Sequence, residues 1–360
     1  MMSKSVDHAK HSPARSAFTL IELLVVMGII AILATLAIAT MAPILENSRV
    51  AATKAIIVQI DSQLRERLAA FNTLMENDAR GSTTETMVKL IANTYSCTDA
   101  DAKVLYRKIR YRMEFPQRVA DLVFKADGTP SNYDSPLLST IREAYPSDTL
   151  QELDSKISSS ELLYLLLTEG RSLGTESYSV DGISAQYITD QDGDGFMEIR
   201  DAWGNELRFY ASPTALFRPN PSVKDPQRPW LPAMNLALGA RFHVSNIIGD
   251  DGSDSPREGS LYQDPLDRRA AVLTLWMRLK PPEDNPLTRA AFYYHPATYF
   301  SYLIISGGPD GDSGLWEPNF GSDKLPELDA ARHAQPRNHD RNSIEFGAMF
   351  DNITNQNLRK

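Results

Sequence analysis

The sequence predicts an α+β protein, in which a long N-terminal helix precedes a globular head with a helix-rich insertion and a small antiparallel sheet. An uncharged apolar run near the N-terminus leads into a segment whose apolar residues recur every three or four positions, the period of an α-helix. After about residue 180, short apolar segments alternate with Gly, Asp and Pro, which is typical of strands and turns. These patterns divide the chain into a leader (1–17), the long helix (18–77), a helix-rich region (78–180) and a β-rich region (181–360).

Composition and charge exclude several classes of protein. The chain has 360 residues, 42% of them hydrophobic and 23% charged, which excludes a fully disordered chain, a collagen-like fibre and a polytopic membrane protein. The net charge of −9 argues against a nucleic-acid partner, because such binders neutralise phosphates with clustered Lys and Arg. The one cysteine, Cys97, excludes an intrachain disulfide and a CxxC zinc site.

The N-terminus has the pattern of a membrane-inserting segment. Residues 1–17 carry three basic side chains against one acidic, and residues 23–42 carry no charge at all. Twenty helical residues at about 1.5 Å each span the bilayer core of about 30 Å. We therefore expect a membrane part at 20–42, with the basic flank in the cytoplasm and the head outside the cytoplasmic membrane.

Three interpretations of this segment compete. A cleaved secretory signal has an apolar region of only about 7–15 residues and a small-residue cleavage site after it, and this chain shows neither. A simple membrane anchor fits the length but leaves Glu22 without a role, although a carboxylate in lipid costs about 2.5 kcal/mol or more. The third interpretation is a processed terminus that gives Glu22 a partner.

The string FTLIELLVVMGIIAILA, which begins at Phe18, resembles the N-terminal signal of type IV pilins and type II secretion pseudopilins. The resemblance implies that a prepilin peptidase cleaves between Ala17 and Phe18 and methylates the new amine of Phe18. Members usually have Gly before the cleaved bond, where this chain has Ala. It also implies that Glu22 pairs with the N-terminal ammonium of a neighbouring subunit, as a buried carboxylate requires.

The resemblance implies a structural subunit of a type II secretion or type IV pilus-like filament, and we expect no enzyme. Its partners would be the prepilin peptidase, other pilin-like subunits, an inner-membrane assembly platform and membrane lipid. It would cross the inner membrane once, with a periplasmic head. The alternative is a single-span, membrane-anchored extracytoplasmic protein that binds a ligand and does not polymerise.

Beyond the membrane part, the helix is expected to continue to residue 77. Pro43 removes one helical hydrogen bond and should kink or loosen the helix. Asp61 and Arg65 form a favourable i, i+4 pair. Apolar residues at helical spacing predict the buried face: Ile57, Ile60, Leu64, Leu68, Phe71 and Met75.

An acidic loop at 190–201, DQDGDGFMEIRD, matches the spacing of an EF-hand-type calcium loop. Hard oxygen ligands without a nearby His or Cys favour Ca²⁺. The alternative is an acidic, solvated turn. The predicted ligands are the carboxylates of Asp190, Asp192, Asp194, Glu198 and Asp201 with the carbonyl of Phe196, Asp201 standing where the usual loop has Glu.

The segments that follow extend the resemblance to the head. DAWGN at 201–205 is similar to a turn of the major pseudopilin, and ISGGPDGDSG at 305–314 and FDNIT at 350–354 are similar to two segments that build a calcium site in that family. The resemblance implies a second metal site that includes Asp310 and Asp351.

The string G-D-S-G at 311–314 also occurs around the nucleophile of serine proteases. A nucleophilic Ser313 needs a positioned base. His295, His333 and His339 are candidates, and nothing in the sequence around them singles one out.

Overall fold

The computed structural model describes residues 19–77, 82–124, 131–170, 182–211, 217–219, 230–232, 302–315, 317–318 and 352–355. The leader, Phe18 and Asp351 lie outside these residues, and so do the three candidate histidines. The helices are α1 (Leu20–Asn77), α2 (Ser82–Tyr95), α3 (Asp99–Glu114), α4 (Pro136–Ala144), α5 (Leu150–Lys156) and α6 (Ser159–Glu169). The strands are β1 (Ile188–Thr189), β2 (Glu198–Ile199), β3 (Arg208–Tyr210), β4 (Phe217–Pro219), β5 (Trp230–Pro232), β6 (Leu303–Ser306) and β7 (Ile353–Thr354).

The predicted long N-terminal helix is present. Helix α1 has 58 residues and continues through Pro43, so the proline does not end it. From Leu20 to Leu36 its large apolar side chains are exposed. Within the part of the chain that the structure describes, no helix meets the combined length and apolarity expected of a membrane span.

The chain divides into two compact units, residues 1–48 and 49–360. In the second unit, the C-terminal half of α1 supplies part of the hydrophobic core. Ile57, Ile60 and Leu64 are fully buried, whereas Leu68 and Met75 are partly buried. The Asp61–Arg65 pair forms as the sequence predicted, with 2.6 Å between Arg65 Nε and Asp61 Oδ2.

Helices α2 to α6 make up the helix-rich region, and local capping explains where several of them begin. Thr98, Thr149 and Ser158 cap the N-termini of α3, α5 and α6 by accepting a backbone hydrogen bond with the hydroxyl group. In α5 and α6 the third helical residue is a glutamate, Glu152 or Glu161, whose carboxylate accepts a hydrogen bond from the backbone N–H of the cap residue.

The strands form three small antiparallel sheets among the described residues, where the sequence predicted one. Strands β1 and β2 pair across the acidic loop, β6 lies between β3 and β7, and β4 pairs with β5. Both faces of β6 are buried. The α+β class with small antiparallel sheets is confirmed.

Side chains connect α1 to the β-rich region within the second unit. The Tyr302 hydroxyl donates to the Asp61 carbonyl at 2.9 Å, and Asn355 Nδ2 donates to the Asp61 carboxylate at 2.9 Å. The backbone N–H of Ala202 donates to Thr53 Oγ1 at 3.1 Å. The acidic loop and the strands that follow it are therefore held against the C-terminal half of α1.

Candidate functional site

Glu22 lies in the first turn of α1, where it completes a capping box with Thr19. The Thr19 backbone N–H and hydroxyl both donate to Glu22 Oε2 at 2.9 Å, and the Glu22 N–H donates to Thr19 Oγ1 at 3.3 Å. The spacing T-x-x-E is the sequence signature of a capping box. Glu22 thus has a local role in starting the helix, and both hydrogen bonds from Thr19 use one of its two oxygens.

The acidic loop folds around its own backbone N–H groups. Asp190 accepts hydrogen bonds from Gly193 N at 2.7 Å and Gly195 N at 3.1 Å. Asp192 Oδ1 accepts from Asp194 N, and Asp194 Oδ1 accepts from Phe196 N. Gly193 and Gly195 have φ of 79° and 97°, a conformation that glycine adopts without strain.

The structure brings four of the predicted ligands together with one residue that the sequence did not predict. One group consists of Asp190, Asp192 and Glu198, and a second consists of Glu161, Asp192 and Asp194. In each group, one carboxylate oxygen per residue lies within 4.8 Å of the others. Glu161 comes from the first turn of α6. The sequence shows Ser158 and Glu161 at the spacing of a capping box, but nothing in it connects Glu161 to the acidic loop.

The two groups differ in how their oxygens are satisfied. Both oxygens of Asp190 accept backbone hydrogen bonds, and both oxygens of Glu198 accept from Gln191 N at 3.2 and 3.0 Å. In the second group, Glu161 Oε1 and Asp194 Oδ2 are buried without a hydrogen-bond donor among the described residues. Burial, and then the nearby charge of Asp194, raise the pKa of Glu161 to about 8.

The remaining predicted ligands are the carbonyl of Phe196 and the carboxylate of Asp201. Phe196 is buried against the core, and its ring lies 6.2 Å from that of Tyr145. Asp201 is 1% exposed and lies in neither group. Its Oδ1 accepts from Trp203 N and Asn205 N, both at 2.9 Å, and its Oδ2 accepts from Ser306 Oγ at 2.7 Å.

The segments of the expected second metal site lie side by side. Strands β6 and β7 pair antiparallel, and Asn352 Nδ2 donates to the Ser313 carbonyl at 2.8 Å. Asp310 is exposed and accepts a hydrogen bond from Asp312 N at 2.9 Å. Within the described part of the chain, Asp310 joins no cluster of potential ligands, and Asp351 lies outside that part.

Ser313 lies in the same turn. It is fully buried, and its hydroxyl accepts a hydrogen bond from the Leu315 N–H at 3.3 Å. The candidate bases His295, His333 and His339 fall outside the described residues. The structure therefore brings no base to Ser313 within the part that it describes.

Comparison with known proteins gives one match. Residues 13–38 match the family described as the prokaryotic N-terminal methylation motif, which is the signal of type IV pilins and pseudopilins. The match covers Arg15 of the basic flank, the predicted cleavage site, Glu22 and most of the apolar run. No curated protein and no solved structure matches the chain.

Proposed function

We propose that this chain is the precursor of a pilin-like or pseudopilin-like structural subunit. It inserts into the cytoplasmic membrane by the N-terminal part of α1, is cleaved before Phe18 and methylated by a prepilin peptidase, and then enters a filament of the type II secretion or type IV pilus kind. The observation that carries the proposal is the coincidence of the methylation motif, at 13–38, with the start of a long helix whose apolar side chains are exposed.

The exposed row on α1 needs a covering partner. Apolar surface left in water costs about 25 cal/mol per Å², and the row continues over more than four turns of helix. Lipid covers such a row before assembly, and neighbouring helices of the same kind cover it in a filament. The row consists of Leu20, Ile21, Leu23, Leu24, Val25, Val26, Met27, Ile29, Ile30, Ile32, Leu33 and Leu36.

The capping box leaves Glu22 able to serve a second partner. Thr19 uses Oε2 of the carboxylate, and removal of the leader leaves Thr19 in place. The ammonium of a neighbouring Phe18 then pairs with the other oxygen, Oε1, when the subunit enters the filament. A hydrogen bond between charged groups contributes about 1.5–3 kcal/mol, and it also fixes which subunits are neighbours.

Substitution of Glu22 by Gln separates the two roles of this side chain. Glutamine completes a capping box as glutamate does but carries no charge. In a host that supplies a prepilin peptidase and an assembly platform, E22Q should insert and be cleaved normally. Cross-linked multimers should fall at least about tenfold, since the charged hydrogen bond is lost. The matched control is E46Q, which removes a carboxylate from α1 beyond the apolar row.

If E22Q forms multimers at the wild-type level, the charge pairing is wrong, and Glu22 serves only to cap the helix. If wild-type chains are cleaved but form no multimers at all, the non-polymerising anchored protein becomes the better description.

A further inference from the structure

Two carboxylates that approach each other from α6 and the acidic loop each have one buried oxygen without a hydrogen-bond donor among the residues that the structure describes. Glu161 is 1% exposed, and its Oε1 has no donor there, while its Oε2 accepts the backbone N–H of Ser158. Asp194 repeats this arrangement, because Oδ1 accepts from Phe196 N at 2.8 Å and buried Oδ2 has no donor. The Asp192 carboxylate lies within 4.8 Å of both.

Such an arrangement is unstable without a positive partner. Three carboxylates so close together repel one another, and a buried unpaired charge is costly because the protein interior solvates it poorly. A single shared proton can join Glu161 to Asp194. The third carboxylate, that of Asp192, is exposed, and one divalent cation reaches all three carboxylates.

We propose that Glu161, Asp192 and Asp194 bind one calcium ion that fastens the acidic loop to the N-terminus of α6. Hard oxygen donors favour Ca²⁺ or Mg²⁺, and Ca²⁺ takes 6–8 oxygen ligands in flexible geometry, which loop carbonyls and water can complete. In the other acidic group, Asp190 and Glu198 accept backbone N–H groups with both oxygens, and its third member, Asp192, belongs to the proposed site as well. The site is separate from the Asp310 segment, and it stands whether or not the chain assembles into a filament.

Because Glu161 lies on α6, an ion bound to it would connect α6 to the acidic loop. Glu161 belongs to the helix-rich region, and Ser160 next to it exchanges hydrogen bonds of 3.0 Å with the backbone of Ile199 in β2. Calcium would add a second connection, from Glu161 to Asp192 and Asp194 within the loop. Calcium binding should therefore order the β1–β2 loop on α6.

Calcium titration of the full-length chain in mild detergent, after removal of metal by a chelator, tests the site by calorimetry. Extracellular sites bind Ca²⁺ at about 10⁻⁴–10⁻³ M, and we expect a wild-type Kd in that range. E161Q should weaken binding at least about tenfold. Its fold should be retained, because Gln still caps α6 and its amide can donate to Asp194. Should E161Q fold poorly, D194N on the loop tests the same site with the same expected loss.

The matched control is E152Q. Glu152 holds the same third position in the capping box of α5 but lies outside both acidic groups, so E152Q should bind Ca²⁺ as the wild type does. A wild-type chain that binds no Ca²⁺ at several millimolar would overturn the proposal, and so would E161Q with a Kd within twofold of the wild type. Equal binding of Mg²⁺ would overturn the assignment to calcium, since Mg²⁺ requires near-octahedral geometry.

Discussion

Asp201 stands at a ligand position of the calcium-loop pattern, but its hydrogen bonds hold neighbouring segments of the fold together. Its carboxylate holds two backbone N–H groups of the Trp203 turn and the hydroxyl of Ser306. The turn is further tied to the Gly308 carbonyl, to which Asn205 Nδ2 donates at 3.0 Å. Asp201 therefore connects the end of the acidic loop to the end of β6.

We predict that D201N leaves calcium affinity within about twofold of the wild type while lowering stability. Asparagine keeps one acceptor for the backbone N–H groups but loses the charge, and a hydrogen bond to a charged group contributes about 1.5–3 kcal/mol. Chemical denaturation measures the loss of stability, and calorimetry measures the affinity. A tenfold fall in affinity together with normal stability would instead make Asp201 a metal ligand.

The sequence predicted the acidic loop but missed Glu161, the residue of α6 that lies beside it. The D-x-D-x-D-G spacing is local, and the hydrogen bonds from Gly193, Asp194, Gly195 and Phe196 form within the same dozen residues. Glu161 lies 29 residues before Asp190, and only the packing of α6 on the loop brings them together. The capping box of Thr19 and Glu22, by contrast, is readable from spacing alone.

At the scale of elements, a buried ion pair joins three helices of the second unit. Arg67 of α1 lies 2.7 Å from Glu114 Oε2 of α3, and its Nε donates to the Glu114 carbonyl at 2.9 Å. Its NH1 group donates to the Gly170 carbonyl, at the C-terminus of α6. Arg110 binds the other oxygen of Glu114 at 2.8 Å, so the carboxylate is fully engaged.

We predict that R67M destabilises the protein by about 3–5 kcal/mol, because Glu114 Oε2 and the carbonyls of Glu114 and Gly170 lose their buried charged donor even though Arg110 still pairs with Glu114. The control is R65M on the same helix. The Arg65 side chain is 42% exposed, and its ion pair with Asp61 is worth less than about 1 kcal/mol. Denaturant unfolding of the two variants measures both values. Equal losses would show that the network does not hold the helices together.

Helices were predicted better than strands for a physical reason. Helical hydrogen bonds connect residues four apart, so local periodicity was enough to predict the long helix and the helix-rich region, although not the bounds of α2 to α6. Strand β3 pairs with β6 across nearly 100 residues, and β6 pairs with β7 across almost 50, so register depends on contacts that no local pattern records. The burial of Arg67 was equally hidden, because its partners lie 47 and 103 residues away.

At the scale of the whole molecule, the two units differ in how far their apolar side chains are exposed. In residues 49–360, the described part buries most of them, in a core to which α1, the shorter helices and β6 contribute. Up to residue 36, α1 exposes almost all of them. The structural subunit proposed above, held first by lipid and then by other subunits, would account for this division, and its pilin-type signal is the methylation motif at 13–38.

The most direct test of this account is mass spectrometry of the mature N-terminus, on protein isolated from cells that contain a prepilin peptidase. The account predicts a chain that begins at Phe18 and carries one methyl group on its amine. In cells without the peptidase, the same chain should keep residues 1–17. An intact leader in the presence of the peptidase, or a terminus after Ala42, would contradict the account.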